Sequence, residues 1–223
     1  MAYRRTENVA RKLAARHDAI VAAARDAANE GGMAAIQMAP VAARAGIAAG
    51  TVYRYFPGKS ELVGALILRL AEREAALLRR AASAAPGPLS ALAAAIAAFA
   101  SRALRHRRLA WAVIGEPVDV EIDRMRVGFR KVLAGEFERL IESAVSGGHL
   151  PGQDAALAAR ALVGALMEAL IGPVAPERIG EKPSAREAVQ ETTLFALRGL
   201  GVPDARARGL VVQAVLPADD PAR

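Results

Sequence analysis

The chain has 223 residues, enough to bury a full core as one large domain or as a small module fused to a larger one. Hydrophobic residues make up 53% of it, with alanine dominant and β-branched residues scarce, so summed propensity predicts an all-α fold. No cysteine is present and the three histidines are scattered, which excludes disulfides and thiolate metal sites, argues against a metal enzyme and fits a reducing cytoplasm.

The net charge of +7 is unevenly placed: residues 1–60 carry nine Lys and Arg against four acids, and the rest is nearly neutral. A basic head on a neutral body points to a polyanionic partner, because phosphate neutralisation drives non-specific affinity for DNA. The opening stretch, MAYRRTENVARKLAARHDAI, lacks the apolar core of a signal peptide. Its basic pairs Arg4, Arg5 and Arg11, Lys12 read equally as an arm for a minor groove or as a solvated tail. The longest apolar stretch, 155–175, is interrupted by Arg160 and Glu168, so no membrane partner is expected.

In chain order, residues about 7–30 predict one helix with Leu13, Ile20, Ala24 and Ala27 on its inner side, stopped by Gly31 and Gly32. MAPVAARA predicts a helix of about two turns, with Pro40 in the first turn, where no amide donor is needed. Gly46 interrupts it. IAAGTVYRYF predicts a second short helix, broken by Pro57 and Gly58. Two short helices about a glycine turn make a helix-turn-helix candidate. Val41, Ile47, Val52 and Phe56 are assigned inward, leaving Thr51, Tyr53, Arg54, Tyr55 and Lys59 outside. Hydroxyls, a guanidinium and an ammonium on one short helix and its turn suit phosphate oxygens beside a groove.

Residues 19–66, and in particular VAARAGIAAGTVYRYF with Lys59 followed by SEL, resemble the DNA-binding head of the TetR family of bacterial transcription regulators. The resemblance implies an all-helical homodimer with an N-terminal three-helix head and a C-terminal ligand-binding and dimerisation body. It sets residues 1–60 as the head, with a basic arm over about 1–15, residues 61–216 as the body and 217–223 as a disordered tail. By position it implies operator contacts, mostly to phosphates, at Gly50, Thr51, Tyr53, Tyr55 and Lys59, with Arg54 beside them and Ala49 where a longer side chain often reads a base. Both short helices depart from the family by lacking Ser or Thr at their starts, where Ile36, Gln37 and Ala48 stand. Base reading is therefore expected from Gln37, Arg44, Tyr55 and Arg54, or through apolar contact with thymine methyls.

In the body, a helix from about Ser60 to Ala84 carries Leu62, Leu66, Leu70 and Leu77, and APGP ends it. The next places Leu89, Leu92, Ile96, Phe99 and Ala103 at helical spacing. A basic run, Arg102, Arg105, Arg107 and Arg108, reads as a solvated face before LAWAVIGEP. Residues 118–146 are expected to bury Val132, Leu133, Phe137, Leu140 and Ile141. The last two long helices start near 155 and at a capping box formed by Ser184 and Glu187, and a short helix over 203–216 follows. Small residues Ala158, Ala161, Leu162, Ala165 and Ala169, with Leu194 on the following helix, form the expected dimer face, intrachain packing being the alternative. Phe99, Trp111, Met125, Phe129 and Met167, with Glu116 as the polar group, are the expected ligand pocket, against a plain-core reading of each.

No catalytic set, cofactor site or metal site emerges. Three readings remain: a repressor released from a palindromic operator by a small molecule; an activator or nucleoid-type protein of the same fold; and a helical binding protein or enzyme with a vestigial head.

Overall fold

The computed structural model describes residues 2–173, 175 and 185–214, with side chains from residue 8. Every regular element in this range is helical. Helices α1 (Ala2–Gly31), α2 (Met38–Arg44) and α3 (Ala49–Tyr55) build the head, with a single 3-10 turn (Met33–Ala35) between the first two. The body follows as α4 (Lys59–Ser83), α5 (Pro88–Arg105), α6 (Arg107–Ile114), α7 (Val120–Ser146), α8 (Ala155–Leu170), α9 (Ala185–Gly199) and α10 (Asp204–Gln213).

Ile20, Val21, Ala24, Ala27 and Ala28 bury one stripe of α1, as its periodicity requires. Leu13 does not join them: it is exposed, because α1 begins at Ala2 and its first turns run free of neighbours. The N-terminal basic segment is thus continuous helix rather than an extended arm. Between α2 and α3, Gly46 adopts φ 68, and Ile47 N–H donates to Ala42 O at 3.0 Å while Gly46 N–H donates to Ala43 O at 3.1 Å. That pairing closes the end of α2, requires a residue that tolerates positive φ, and folds Ile47 back onto the core. Val41, Val52 and Phe56 are buried, and the His17 ring lies tilted against Phe56 with ring centroids 5.0 Å apart.

Helix α4 packs on α5 and α7, α7 on α8, α5 on α9, and α10 closes against α9 and α5. Its buried leucines are Leu62, Leu66 and Leu78, whereas the expected Leu77 is only half-buried because the inner stripe drifts past it. Arg79 on α4 reaches Glu136 on α7 at 2.5 Å. Asp119 caps α7 by accepting Ile122 N–H at 3.0 Å, and Asp154 caps α8 by accepting Leu157 N–H at 2.9 Å. On α7, Leu133, Phe137 and Ile141 are buried, but Val132 is 36% exposed, since it follows the solvent side of the turn. The Ser184 capping box and the tail 217–223 lie outside the described residues. One apolar cluster runs without a break from Ile20 in the head to Val211 in α10, so the expected boundary at residue 60 falls in the first turn of α4, not in a linker.

Phe137 is fully buried at the centre of this cluster. Replacing it by alanine is expected to cost about 3–5 kcal/mol. A urea unfolding midpoint that moves by less than its experimental error would show that the ring is not in the core.

Candidate functional site

The head presents α3 outward. Tyr53 is 52% exposed, Arg54 and Gly50 are exposed, and Thr51 and, at the start of α4, Lys59 are half-exposed. Tyr55 and Ala49 differ from expectation: both pack partly against the core, because they fall on the side of α3 that meets α2. Neither short helix has a side-chain cap. Gln37 at the start of α2 instead donates its Nε2–H to Ala34 O at 3.1 Å, within the preceding turn.

Arg44 is not an unengaged guanidinium. Its Nη1 and Nη2 donate to the two oxygens of Glu30 at 2.6 and 2.5 Å, a bidentate fork from α2 to the end of α1. The fork holds the Glu30 carboxyl below the usual carboxylate range. Arg44 must therefore leave Glu30, or share its donors, to meet a base.

Glu116 lies far from the role its sequence neighbourhood implied. Its Oε2 accepts the backbone N–H of Met33 at 2.9 Å, capping the 3-10 turn of the head from the end of α6. Gly32, at φ 74, makes this approach possible, since a methyl group there would stand 2.5 Å from Oε2. Just inside, Arg126 on α7 is buried, and its Nη2 donates to Ala112 O of α6 at 2.8 Å. Burial holds its guanidinium below the ordinary arginine value, and its Nε is buried without a partner. Body groups thus pin the α6–α7 turn from one side and the head from the other.

A cavity of about 250 Å³ opens between α1, α4, α5, α6 and α7. Phe99 and Phe129 line it, as expected. The other four expected lining residues are elsewhere. Trp111 turns back onto Gly115, Met125 packs against Gly64 of α4, Met167 is buried on α8, and Glu116 serves the head. The polar lining comes instead chiefly from Arg102 and Arg105, which were assigned to a solvated face, and from His106, with Arg25, Asp26 and Asn29 from α1 and Arg73 and Glu74 from α4. Glu74 and Arg102 are paired at 3.1 Å with their side chains only 12% and 17% exposed.

The third surface is an apolar groove of about 590 Å³ between α8 and α9. Ala158, Ala161, Leu162, Ala165 and Ala169 line it, whereas Leu194 points toward the core. Its most prominent residues, Leu157 and Phe195, exposed by 62% and 67%, were missed. Phe195 occurs one turn before Gly199 and shares its face with Thr192, a spacing that marks the outer side.

Three helices with a recognition-type pair, fused through a long helix to a cavity-bearing helical body, define a helix-turn-helix head on an all-helical body. The sequence profile described as bacterial regulatory proteins, tetR family, matches residues 20–66, so the head and the first turns of α4 are similar to that family. Over 65 residues it is 46% identical to the HTH-type transcriptional repressor KstR of Mycolicibacterium smegmatis, and over 46 residues 50% identical to KstR of Rhodococcus jostii. These matches cover 29% and 21% of this chain and span only 32% and 22% of the two repressors. Among solved structures, RolR in complex with resorcinol aligns with a TM-score of 0.67 at 20% identity over 94% of this chain and 98% of its own. FadR of Bacillus halodurans, a fatty acid degradation regulator, aligns at 0.68 and 20% over 84% and 97%. At this identity the likeness is one of fold.

Glu116→Ala is expected to cost about 1–3 kcal/mol, because the Met33 amide loses its acceptor. Glu116→Gln retains an acceptor and should lose less. Hydrogen exchange at the Met33 amide reads the bond directly, and equal protection in wild type and Glu116→Ala would show that it is not formed.

Proposed function

We propose that this protein is a homodimeric, ligand-responsive transcriptional repressor that binds a palindromic double-stranded operator and acts in the cytoplasm. The observation that carries the reading is the solvent-accessible set of Tyr53, Arg54 and Thr51 on α3 and Lys59 at the start of α4, on a head whose sequence matches repressors. Tyr53, Thr51 and Lys59, with the Gly50 backbone, hold phosphates. Arg54 lies beside them, and Gln37 and Arg44 approach base edges from α2, Arg44 after exchanging Glu30 for DNA. Residues 1–60 act as the DNA-binding unit and the remainder as the effector and dimerisation unit. Two copies meet across the α8–α9 groove, where Leu157 and Phe195 offer more exposed apolar surface than a solvated helix needs.

The effector is a small molecule held in the cavity behind the head. Helix α6 supplies Leu109, Val113 and Ile114 to the cavity wall and ends two residues before Glu116. A ligand that displaces α6 draws Glu116 from the Met33 amide and alters the placement of each head. Paired heads must stand about 34–36 Å apart to enter successive major grooves. The ligand releases DNA only by binding the displaced state better, and a coupling of about 1–3 kcal/mol weakens the operator complex roughly 5- to 150-fold.

Footprinting on DNA flanking the protein's own gene tests the whole reading; protection that does not form a palindrome would refute it. Lys59→Ala and Tyr53→Phe are expected to weaken binding to all sequences alike, Lys59→Ala lowering the salt slope by roughly one unit. Unchanged affinity in both variants would remove α3 as the docking surface. Ala165→Arg buries an unpaired charge in the groove between copies, at a cost of several kcal/mol. Sedimentation should then report monomers, and an intact dimer would place the interface elsewhere.

A further inference from the structure

Helix α1 outruns the head it belongs to. Its buried stripe begins only at Ile20, and from Asn8 to Arg16 every residue is exposed, Val9 and Leu13 by 53% and 51%. The backbone is nonetheless helical from Ala2. A separate helix of this length is marginal in water, so these turns persist because the packed half of α1 nucleates them and because Ala, Arg, Lys and Leu favour the helix. From Ala2 to Arg16 the helical rise amounts to about 20 Å.

The charge of this segment has one sign. Residues 2–16 carry Arg4, Arg5, Arg11, Lys12 and Arg16 against the single acid Glu7. Positions 5, 12 and 16 stand seven and four apart and so fall on one row of the helix. Arg11 donates to Asn8 Oδ1, whereas Lys12 and Arg16 have no partner among the described residues. A solvated helix face that mixes signs gains from pairs at i,i+4, but like charges at that spacing repel. A row of one sign is relieved only by an outside partner that offers anions along its length.

Its place in the fold says which anions those are. Where α1 meets the head, the His17 ring lies against Phe56 at the end of α3, and Asp18 pairs with Arg69 of α4 at 3.9 Å. The free turns therefore begin beside the corner of α3 and α4 that carries Tyr53 and Lys59. A duplex held at that corner has flanking phosphates for the free turns to meet, and about 20 Å of helix covers more than half of one duplex repeat of about 34 Å.

We propose that the free half of α1 is a second DNA-docking surface, a rigid basic helix that lies along the phosphate backbone beside the α3 site, with Lys12 and Arg16 on phosphate oxygens. The proposal rests on the reading of α3 as the operator-docking helix and adds to it a contact that raises affinity for every sequence alike.

Fluorescence anisotropy of the full chain with a labelled mixed-sequence duplex of about four helical turns, over a series of salt concentrations, tests it without knowledge of the operator. Lys12→Gln with Arg16→Gln preserves helix propensity and leaves the core untouched. This pair should make the salt slope shallower by about two units and weaken binding at least tenfold near 0.1 M salt. Arg124→Gln with Lys131→Gln removes the same charge from exposed positions of α7 and should leave the slope as it is. Equal flattening by the α7 pair would reduce the effect to net charge and overturn the proposal. A slope flattened by Lys59→Ala but unaltered by the α1 pair would overturn the α1 surface alone, and unaltered slopes in both would overturn the α3 docking reading with it. Loss of binding to phosphatidylglycerol vesicles in the α1 pair, with the DNA slope unaltered, would assign the row to a membrane surface instead.

Discussion

A single carboxylate reaching across the molecule to a backbone amide, Glu116 Oε2 to Met33 N–H, sets the relation between the two ends of this chain. The amide is the first donor of a 3-10 turn and has no acceptor within it, so only an acceptor from outside the turn can satisfy it. The chain meets this need with a glycine at residue 32, where no side chain blocks the approach. It also meets it with a buried arginine that fixes the end of the helix from which the carboxylate extends. Remove the carboxylate and the turn that leads into α2 loses its anchor, while the helices on either side retain their own apolar contacts.

The head is in other respects held lightly. Neither α2 nor α3 is capped by a side chain, and their stability comes from Val41, Val52 and Phe56 in the core and from the glycine turn between them. The Glu30–Arg44 fork adds a tie across the outside, with both side chains well exposed. An exposed pair contributes little to stability, so its more important effect is to orient the guanidinium. The proposed DNA contacts are therefore borne by elements that the body steadies through Glu116 and through the shared core.

What the sequence made legible was local. Helix ends marked by Gly31, Gly46 and the APGP segment, and the buried rows of α4 and α5, follow from turn chemistry and helical period within a few residues of each other. The outward set on α3 was legible for the same reason, and because its motif is specific. Glu116 was misread as a pocket residue because its partner is a main-chain amide 83 positions away, a relation that leaves no trace in side-chain pattern. Arg102 was misread as solvated because a basic run conceals which member turns inward, and only the packing of α5 on α4 sets it against Glu74. Leu13 failed in the opposite sense: its period was right, but nothing packs there.

Helix α1 carries the head and also contributes Arg25, Asp26 and Asn29 to the cavity wall. The two units that such a fold invites one to separate are thus not separable along the chain. A chimera that joins a relative's α1, α2 and α3 to this body would bring foreign side chains to three positions of the chamber along with its new DNA surface. Transplanting the head onto another body would leave that chamber without one wall. The side chains of the head and the chemistry of the chamber are in this protein inherited together, and divergence at residues 25, 26 and 29 alters the chamber even when the whole body is unchanged.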